Sequence, residues 1–442
     1  MILLLSTYDL GRQPFGLASP AAWLKRSGCD VLTRDLSRDK LDDDEVRAAA
    51  VVAFYLPMHT ATRLALPVID RVRHVNPAAR LVAYGLYAPL SANQLRERGV
   101  HDVLGPEAEA DLVRIGSSAM DRGSVPATST RELPRLAFMM PDRTGLPHPS
   151  RYATLRMPDG RRKVVGATDA TRGCKHRCRH CPIVPVYDGQ FRVVPPEVVL
   201  ADIRQQVAAG ADHITFGDPD FFNGPTHARR VVETLHAQHP ALTYDVTIKV
   251  AHVLKNRDLL PVLAQTGCLF ITSAVESIDD DVLAKLDKGH TRADFFEAVD
   301  LCRAADVALA PTFVAFTPWT TLDSYRDLLQ TIHAVGLVEH VAPIQWALRL
   351  LVTQGSRLLE LEDVRERVQR FDERTLTHPW RHDDPHVDAL QAVIMREVGV
   401  QLTRSRSEVF AAICELAGVG ELTACALPSR ATVPYLNEPW YC

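Results

Sequence analysis

The run Thr171-Arg172-Gly173-Cys174-Lys175-His176-Arg177-Cys178-Arg179-His180-Cys181-Pro182 sets three cysteines in a C-x3-C-x2-C spacing. Three thiolates on one short loop suit three irons of a cubane [4Fe–4S] cluster, which ordinarily takes four cysteine ligands. A loop that offers three leaves one iron open, and an open coordination position is where a substrate or cofactor reaches a metal centre. Zinc is the competing reading, because His176 and His180 interleave with the cysteines. Against it, zinc modules pair two such elements, and no second C-x2-C follows this one.

Outward from the loop, strand and helix signals alternate. Val164–Thr168 precedes it. His213–Phe216, Tyr244–Ile248, Leu269–Ala274, Ala308–Val314 and Ile344–Leu348 follow, each leading toward a helical stretch. Six such units over residues 164–363 predict a partial (β/α)6 barrel with its chemistry at the strands' carboxyl ends. The cysteine loop follows the first strand, where a barrel enzyme would place it.

Residues 1–115 alternate in the same way. Strand candidates are Ile2–Ser6, Asp30–Thr33, Ala49–Phe54, Arg80–Tyr84 and Asp102–Leu104, with helical stretches at Ala18–Ser27, Thr60–Val75 and Asn93–Arg98. The pattern predicts an α/β domain, an open parallel sheet with helices on both faces. Ligands of such sheets bind at the carboxyl ends of the strands, here Ser6–Gly11, Tyr55–Thr60 and Gly85–Ala92. Residues 116–163, rich in Ser, Pro, Arg and Gly, read as a linker, with a hairpin at Ala153–Val165 around Pro158-Asp159-Gly160. Residues 364–442 read as a helical region (Asp388–Glu397, Ser407–Leu416) with an extended tail, Ala431–Cys442.

Composition narrows the class. A chain of 442 residues is too long for one core, so two or three domains are expected. Hydrophobic residues at 46% and charged residues at 24% are ordinary globular usage. A net charge of −4 announces no nucleic-acid partner. The N-terminus lacks a signal-peptide pattern, and no stretch approaches the roughly 20 apolar residues of a membrane span. The expectation is a cytoplasmic protein with no membrane partner. Its nine cysteines are then reduced, metal-binding or catalytic rather than paired.

The cysteine loop resembles the defining motif of the radical S-adenosylmethionine (SAM) superfamily. Phe216-Gly217-Asp218-Pro219-Asp220-Phe221-Phe222-Asn223 stands where that superfamily has a Gly-Gly-Glu-like segment holding the SAM amino group. The glutamate is absent, and the resemblance offers Asp218 or Asp220 in its place. Ala274-Val275-Glu276-Ser277 is similar to a Gly-x-Glu-Ser segment that contacts SAM in relatives with an N-terminal cobalamin-binding-like domain. Leu286–Thr291 continues the match, and residues 1–115 resemble that N-terminal domain. They lack an Asp-x-His-x-x-Gly segment, which leaves cobalamin open as a cofactor.

The stretches Phe216–Pro225, Asp245–Lys249, Pro311–Thr321 and Asn437–Cys442 resemble a narrower group. These are radical SAM proteins with a CUAEP or CCAEP tail and their neighbour, the arsinothricin-biosynthesis enzyme ArsL. The resemblance implies a [4Fe–4S] cluster held by Cys174, Cys178 and Cys181, with SAM as cofactor and an electron donor such as flavodoxin or ferredoxin. It also implies transfer of a 3-amino-3-carboxypropyl group to trivalent arsenic, as in arsenic-containing natural-product biosynthesis. Cys425 and Cys442 suit that reaction, since soft thiolates bind soft thiophilic centres. Packing is the plainer role for Cys425. Two other readings stand beside it: a cobalamin-dependent radical methylase acting on a natural-product carbon, and a thiol-based metalloid sensor.

Further site candidates follow from position. Tyr244, Asp245, Thr247 and Lys249 lie along the third barrel strand, so one face points into the barrel. Lys249, Ser277 and Arg349 are candidates toward SAM, the last by pairing with a carboxylate. His378, Trp380, His382, Asp383, Asp384 and His386 resemble a metal cluster but lack helical spacing. Cys29, Cys268, Cys302 and Cys414 sit in apolar settings and read as core.

Overall fold

A computed structural model of the chain describes residues 1–120, 136–400, 404–420 and 433–437. Five parallel strands build the N-terminal sheet: β1 (Ile2–Ser6), β2 (Val31–Asp35), β3 (Val51–Tyr55), β4 (Arg80–Tyr84) and β5 (Asp102–Val103). Their order is β2-β1-β3-β4-β5, every neighbour in parallel register. β1 and β3 are almost wholly buried because helices cover both faces, so they read as apolar runs rather than as alternating strands. One core packs Leu3, Leu5, Val52 and Phe54 under helix His59–Val75. The opposite core packs Ile2, Leu4, Val51 and Ala53 under helices Phe15–Arg26 and Glu109–Met120. In this strand order the chain reverses direction between β1 and β3, which makes that point the sheet's natural ligand crevice.

The second sheet follows the expected hairpin. β6 (Thr154–Arg156) pairs antiparallel with β7 (Arg162–Thr168) across the turn at Pro158–Gly160. The short ribbon β8 (Thr171–Gly173) and β9 (Phe191–Val193) brackets the cysteine loop. β10 (His213–Phe216), β11 (Thr243–Thr247), β12 (Cys268–Glu276) and β13 (Ala308–Phe313) continue from β7 in parallel, and β14 (Tyr435–Leu436) pairs antiparallel with the outer edge of β6. The result is a curled α/β half-barrel, with one large core running from Ile203 through Tyr244 and Phe295 to Trp346 and Phe410.

One strand expectation fails. Ile344–Leu348 is not a sixth strand. Pro343–Trp346 forms a 3-10 turn, and the sixth position of the barrel holds only a parallel bridge between Phe316 and Arg349. Pro343 explains this locally: it has no N–H to give a ladder and its fixed φ suits the first position of a helical turn. The helices expected near 388–397 and 407–416 are present as Pro385–Val400 and Arg406–Ala417.

Two buried ion-pair networks join the two sheets. Arg143 grips Asp202 of the barrel in a two-pronged pair (2.7 and 2.8 Å) and donates to Gln13 Oε1 at 2.6 Å. Arg172, on β8, reaches back to Glu109 (2.8 Å) and Glu107 (3.2 Å) of the N-terminal domain. As a result the carboxyl ends of β1, β3 and β4 face the carboxyl ends of β7 and β10.

Candidate active site

Cys174, Cys178 and Cys181 are free thiols on the loop between β8 and the turn at Val184–Tyr187. Burial pushes the Cys181 thiol up to about 12, with Cys178 and Cys174 adding to the rise, and burial also raises Cys174. Thiols whose ionisation is opposed in this way become thiolates readily against a cationic metal centre. Their spacing selects the centre. Ligands of one zinc ion at 2.3 Å lie roughly 4 Å apart. Among the described residues the three sulfurs are not a group gathered within 4.8 Å, so they are too spread for one ion and suit a cluster. Lys249 Nζ, itself buried, lies 3.5 Å from Cys178 Sγ.

Glu276 ends β12 with φ at 70°. Its carboxylate meets His180 Nε2 at 3.2 Å and Lys288 Nζ at 3.5 Å. Burial alone would raise its pKa, but Lys288 and His180 overcome that and hold it at about 2. Glu276 thereby ties the cysteine loop to the end of the barrel. Ser277 lines a separate cavity of about 240 Å³ outside β12 and β13.

The two aspartates after β10 divide their work. Asp218 accepts from Ala170 N–H (2.9 Å) and Thr171 Oγ1 (2.5 Å), so its carboxylate pins the β7–β8 junction. Asp220 caps Phe222 N–H at 3.1 Å and lies 2.6 Å from His252 Nδ1. His252 Nε2 in turn lies 3.2 Å from His176 Nε2 of the cysteine loop. This Asp220–His252–His176 chain was hidden in the sequence, where the three residues stand in separate segments.

The other candidates settle elsewhere. Asp245 faces the barrel interior and accepts from His213 (2.9 Å) and Thr215 (2.6 Å), while Tyr244 turns outward to Thr266. Arg349 pairs with Asp388 at 2.6 Å and stacks on Trp380, so its partners lie within the chain. His378 bonds Gln369, and His386 bonds Asp384. Among the described residues no metal group forms there. Cys29, Cys268, Cys302 and Cys414 are buried in the core. Cys425 and Cys442 lie outside the described residues.

Between the two sheets lies a half-open chamber of about 230 Å³. It sits at the β1/β3 reversal point on one side and against Gly173, just ahead of Cys174, on the other. Asp9, Arg12 and Tyr55 enter it from the N-terminal domain, and Asp169 enters it from the barrel.

Residues 169–331 match the family model of the radical SAM superfamily. Over that segment, which holds the cysteine loop and most of the half-barrel, the chain is similar to the superfamily. Its cofactors are a [4Fe–4S] cluster and SAM, and the sensor reading is set aside. The chain is 22% identical to the hopanoid C-3 methylase of Methylococcus capsulatus over 325 residues, covering 70% of this chain and 62% of that protein. It is 24% identical to the ribosomal protein uS12 methylthiotransferase RimO of Geobacter sulfurreducens, covering 46% of this chain and 49% of that protein. The chain thus spans less than two thirds of the length of these relatives. Among solved structures, OxsB with aqua-cobalamin and SAM bound superposes with a TM-score of 0.68 at 13% identity, covering 94% of this chain and 71% of that one. TsrM from Kitasatospora setae with cobalamin and a [4Fe–4S] cluster bound gives 0.59 at 15% identity, covering 76% of this chain and 70% of that one. At such identities the likeness shows the fold alone, sheet and half-barrel together. No helix among the described residues is long and apolar enough to cross a membrane.

Proposed function

We propose that the chain transfers a SAM-derived carbon group, most simply a methyl group, to a small acceptor held in the interdomain chamber. The observation that carries this reading is the chamber's position: the ligand crevice of the N-terminal sheet opens directly onto the residue preceding Cys174. Methyl transfer is supported by the names of relatives, the hopanoid methylase and the bacteriochlorophyllide d methyltransferase of Chlorobaculum tepidum.

In this reading Cys174, Cys178 and Cys181 hold the cluster, which supplies the electron that cleaves a carbon–sulfur bond of SAM. Lys249 donates to the Cys178 sulfur and stabilises its thiolate. Glu276 fixes the loop through His180 and Lys288.

Cobalamin enters the reading through OxsB and TsrM, whose structures hold it. The chamber as closed here is smaller than the roughly 300 Å³ at the low end of drug-sized sites. Tyr55 and Tyr84 pack there as a tilted pair with ring centroids 5.5 Å apart. A corrin would therefore require the two sheets to part. The aminocarboxypropyl reading rests on the resemblance to ArsL, and its thiols Cys425 and Cys442 lie outside the described residues.

Product analysis of the anaerobically reconstituted protein with SAM and reductant tests the reading. S-adenosylhomocysteine formed in the presence of an acceptor supports methyl transfer. Methylthioadenosine as the main product, especially with arsenite, replaces it with aminocarboxypropyl transfer. A protein that cleaves no SAM refutes both.

A further inference from the structure

The chamber's walls carry an unbalanced charge. Two guanidinium groups, Arg12 and Arg172, face three carboxylates, Asp9, Glu109 and Asp169. Arg172 is fully engaged by Glu107, Glu109 and the Ser19 hydroxyl (3.1 Å). Even so, Glu109 Oε2 is left buried with no hydrogen-bond partner, and Glu109 lines the chamber at 2% exposure. The carboxylates of Asp9 and Asp169 have no hydrogen-bond or ion-pair partner among the described residues, although Arg12 and Arg143 pull the Asp9 pKa down and Arg172, Arg12 and Arg143 pull down that of Asp169. Asp9 and Asp169 are half-buried, whereas Glu109 Oε2 is fully buried, and a buried carboxylate oxygen without a partner is costly and calls for an occupant.

Asp9, Glu109 and Asp169 do not come within the 4.8 Å that ligands of one ion share. Carboxylates set further apart around a cavity of about 230 Å³ suit an organic cation that bridges them. Tyr55 adds to this preference, since an aromatic face attracts a desolvated cation. Burial lifts Asp9 to about 7 and Asp169 to about 6 in spite of the nearby guanidinium groups. Gly217 makes the site: a Cβ there would lie 2.4 Å from Asp169 Oδ1 and 3.6 Å from Arg12 Nη1.

We infer that the chamber binds a small molecule bearing a cationic nitrogen, an amine or amidine, clamped between Asp9 of the N-terminal domain and Asp169 of the barrel. This names the acceptor class for the transfer proposed above and rests on that reading for its catalytic meaning, but not for the binding itself.

The test is calorimetric titration of the anaerobically reconstituted protein, without SAM, using three probes of one shape: benzylammonium, benzyl alcohol and benzoate. Benzylammonium is expected to bind at least tenfold more tightly than benzyl alcohol, and benzoate more weakly still. Asp9→Asn and Asp169→Asn are each expected to weaken benzylammonium tenfold or more, with cluster absorbance and circular dichroism unchanged. Should either variant fail to fold, Gly217→Ala, which fills the space, is expected to give the same loss. Absence of benzylammonium binding, equal binding of the three probes, preference for benzoate, or unchanged affinity in the variants would overturn the inference. Binding is read without turnover, so a protein that selects the cation yet transfers nothing defeats the transferase reading alone. One that cleaves SAM without charge selectivity defeats only the cation site.

Discussion

Lys249 Nζ lies 3.5 Å from Cys178 Sγ, and both groups are buried. A fixed positive charge beside a thiolate ligand favours the state of the centre that carries more negative charge. Lys249→Met is therefore expected to lower the reduction potential of the reconstituted cluster. At a separation of several ångströms and an effective dielectric near 20, the shift is on the order of 100 mV. A redox titration followed by electron paramagnetic resonance checks this. An unchanged potential would mean that Lys249 serves only to pack against the loop.

Arg172 joins the domains by holding Glu107 and Glu109, with all three side chains at most 9% exposed. Removing one partner of such a buried network strands the others' charges, typically at about 3–5 kcal/mol. Arg172→Met is expected to lower the melting temperature by on the order of 10 °C. Adding Glu107→Gln should recover part of the loss, because it removes a stranded charge. A double variant no more stable than the single one would show that the network does not act as a unit.

The chamber gives stability a pH dependence with a definite sign. Burial, opposed by Arg12 and reinforced by Asp169, lifts Asp9 from 3.8 to about 7. The folded protein thus keeps a proton that the unfolded chain releases, so this residue's contribution to stability falls as pH rises from 3.8 toward 7. Asp9→Asn removes the penalty. The variant is expected to melt several degrees higher than the parent at pH 8, with the gap closing toward pH 5, consistent with roughly 1–2 kcal/mol. A gap that is constant across this range would assign the effect to packing rather than to ionisation.

The sequence disclosed the parts that local chemistry determines. The C-x3-C-x2-C spacing, the buried apolar runs of β1 and β3 and the turn at Pro158–Gly160 each carry a short-range signal, and the structure has them at those places. Ile344–Leu348 misled because its apolar character comes from packing a 3-10 turn, with Trp346 in the main core, rather than from a strand. Asp218 and Asp220 were a single candidate in the sequence, and only the path of the backbone gives one to Ala170 and the other to His252. One wall of the chamber was legible in the strand ends Ser6–Gly11, Tyr55–Thr60 and Gly85–Ala92, but its other wall was not, because Asp9 and Asp169 are 160 residues apart and meet only through the docking of two sheets.

Gly217 offers a test of whether that docking is exact enough to bind. Its Cα sits against the Asp169 carboxylate, and a methyl group there would stand 2.4 Å from Oδ1. Asp169 would have to turn away from the chamber, or β7 and β10 to separate. Overpacking of this kind costs typically about 1–3 kcal/mol. The backbone at Gly217 does not need a positive φ, so the cost is steric alone. Gly217→Ala is expected to melt a few degrees lower than the parent and to bind benzylammonium at least tenfold more weakly. Gly217→Ala combined with Asp169→Ser, which withdraws the colliding carboxylate, should regain the melting temperature but not the binding. Recovery of both would remove Asp169 from the cation's grip; recovery of neither would place the collision elsewhere in the strand.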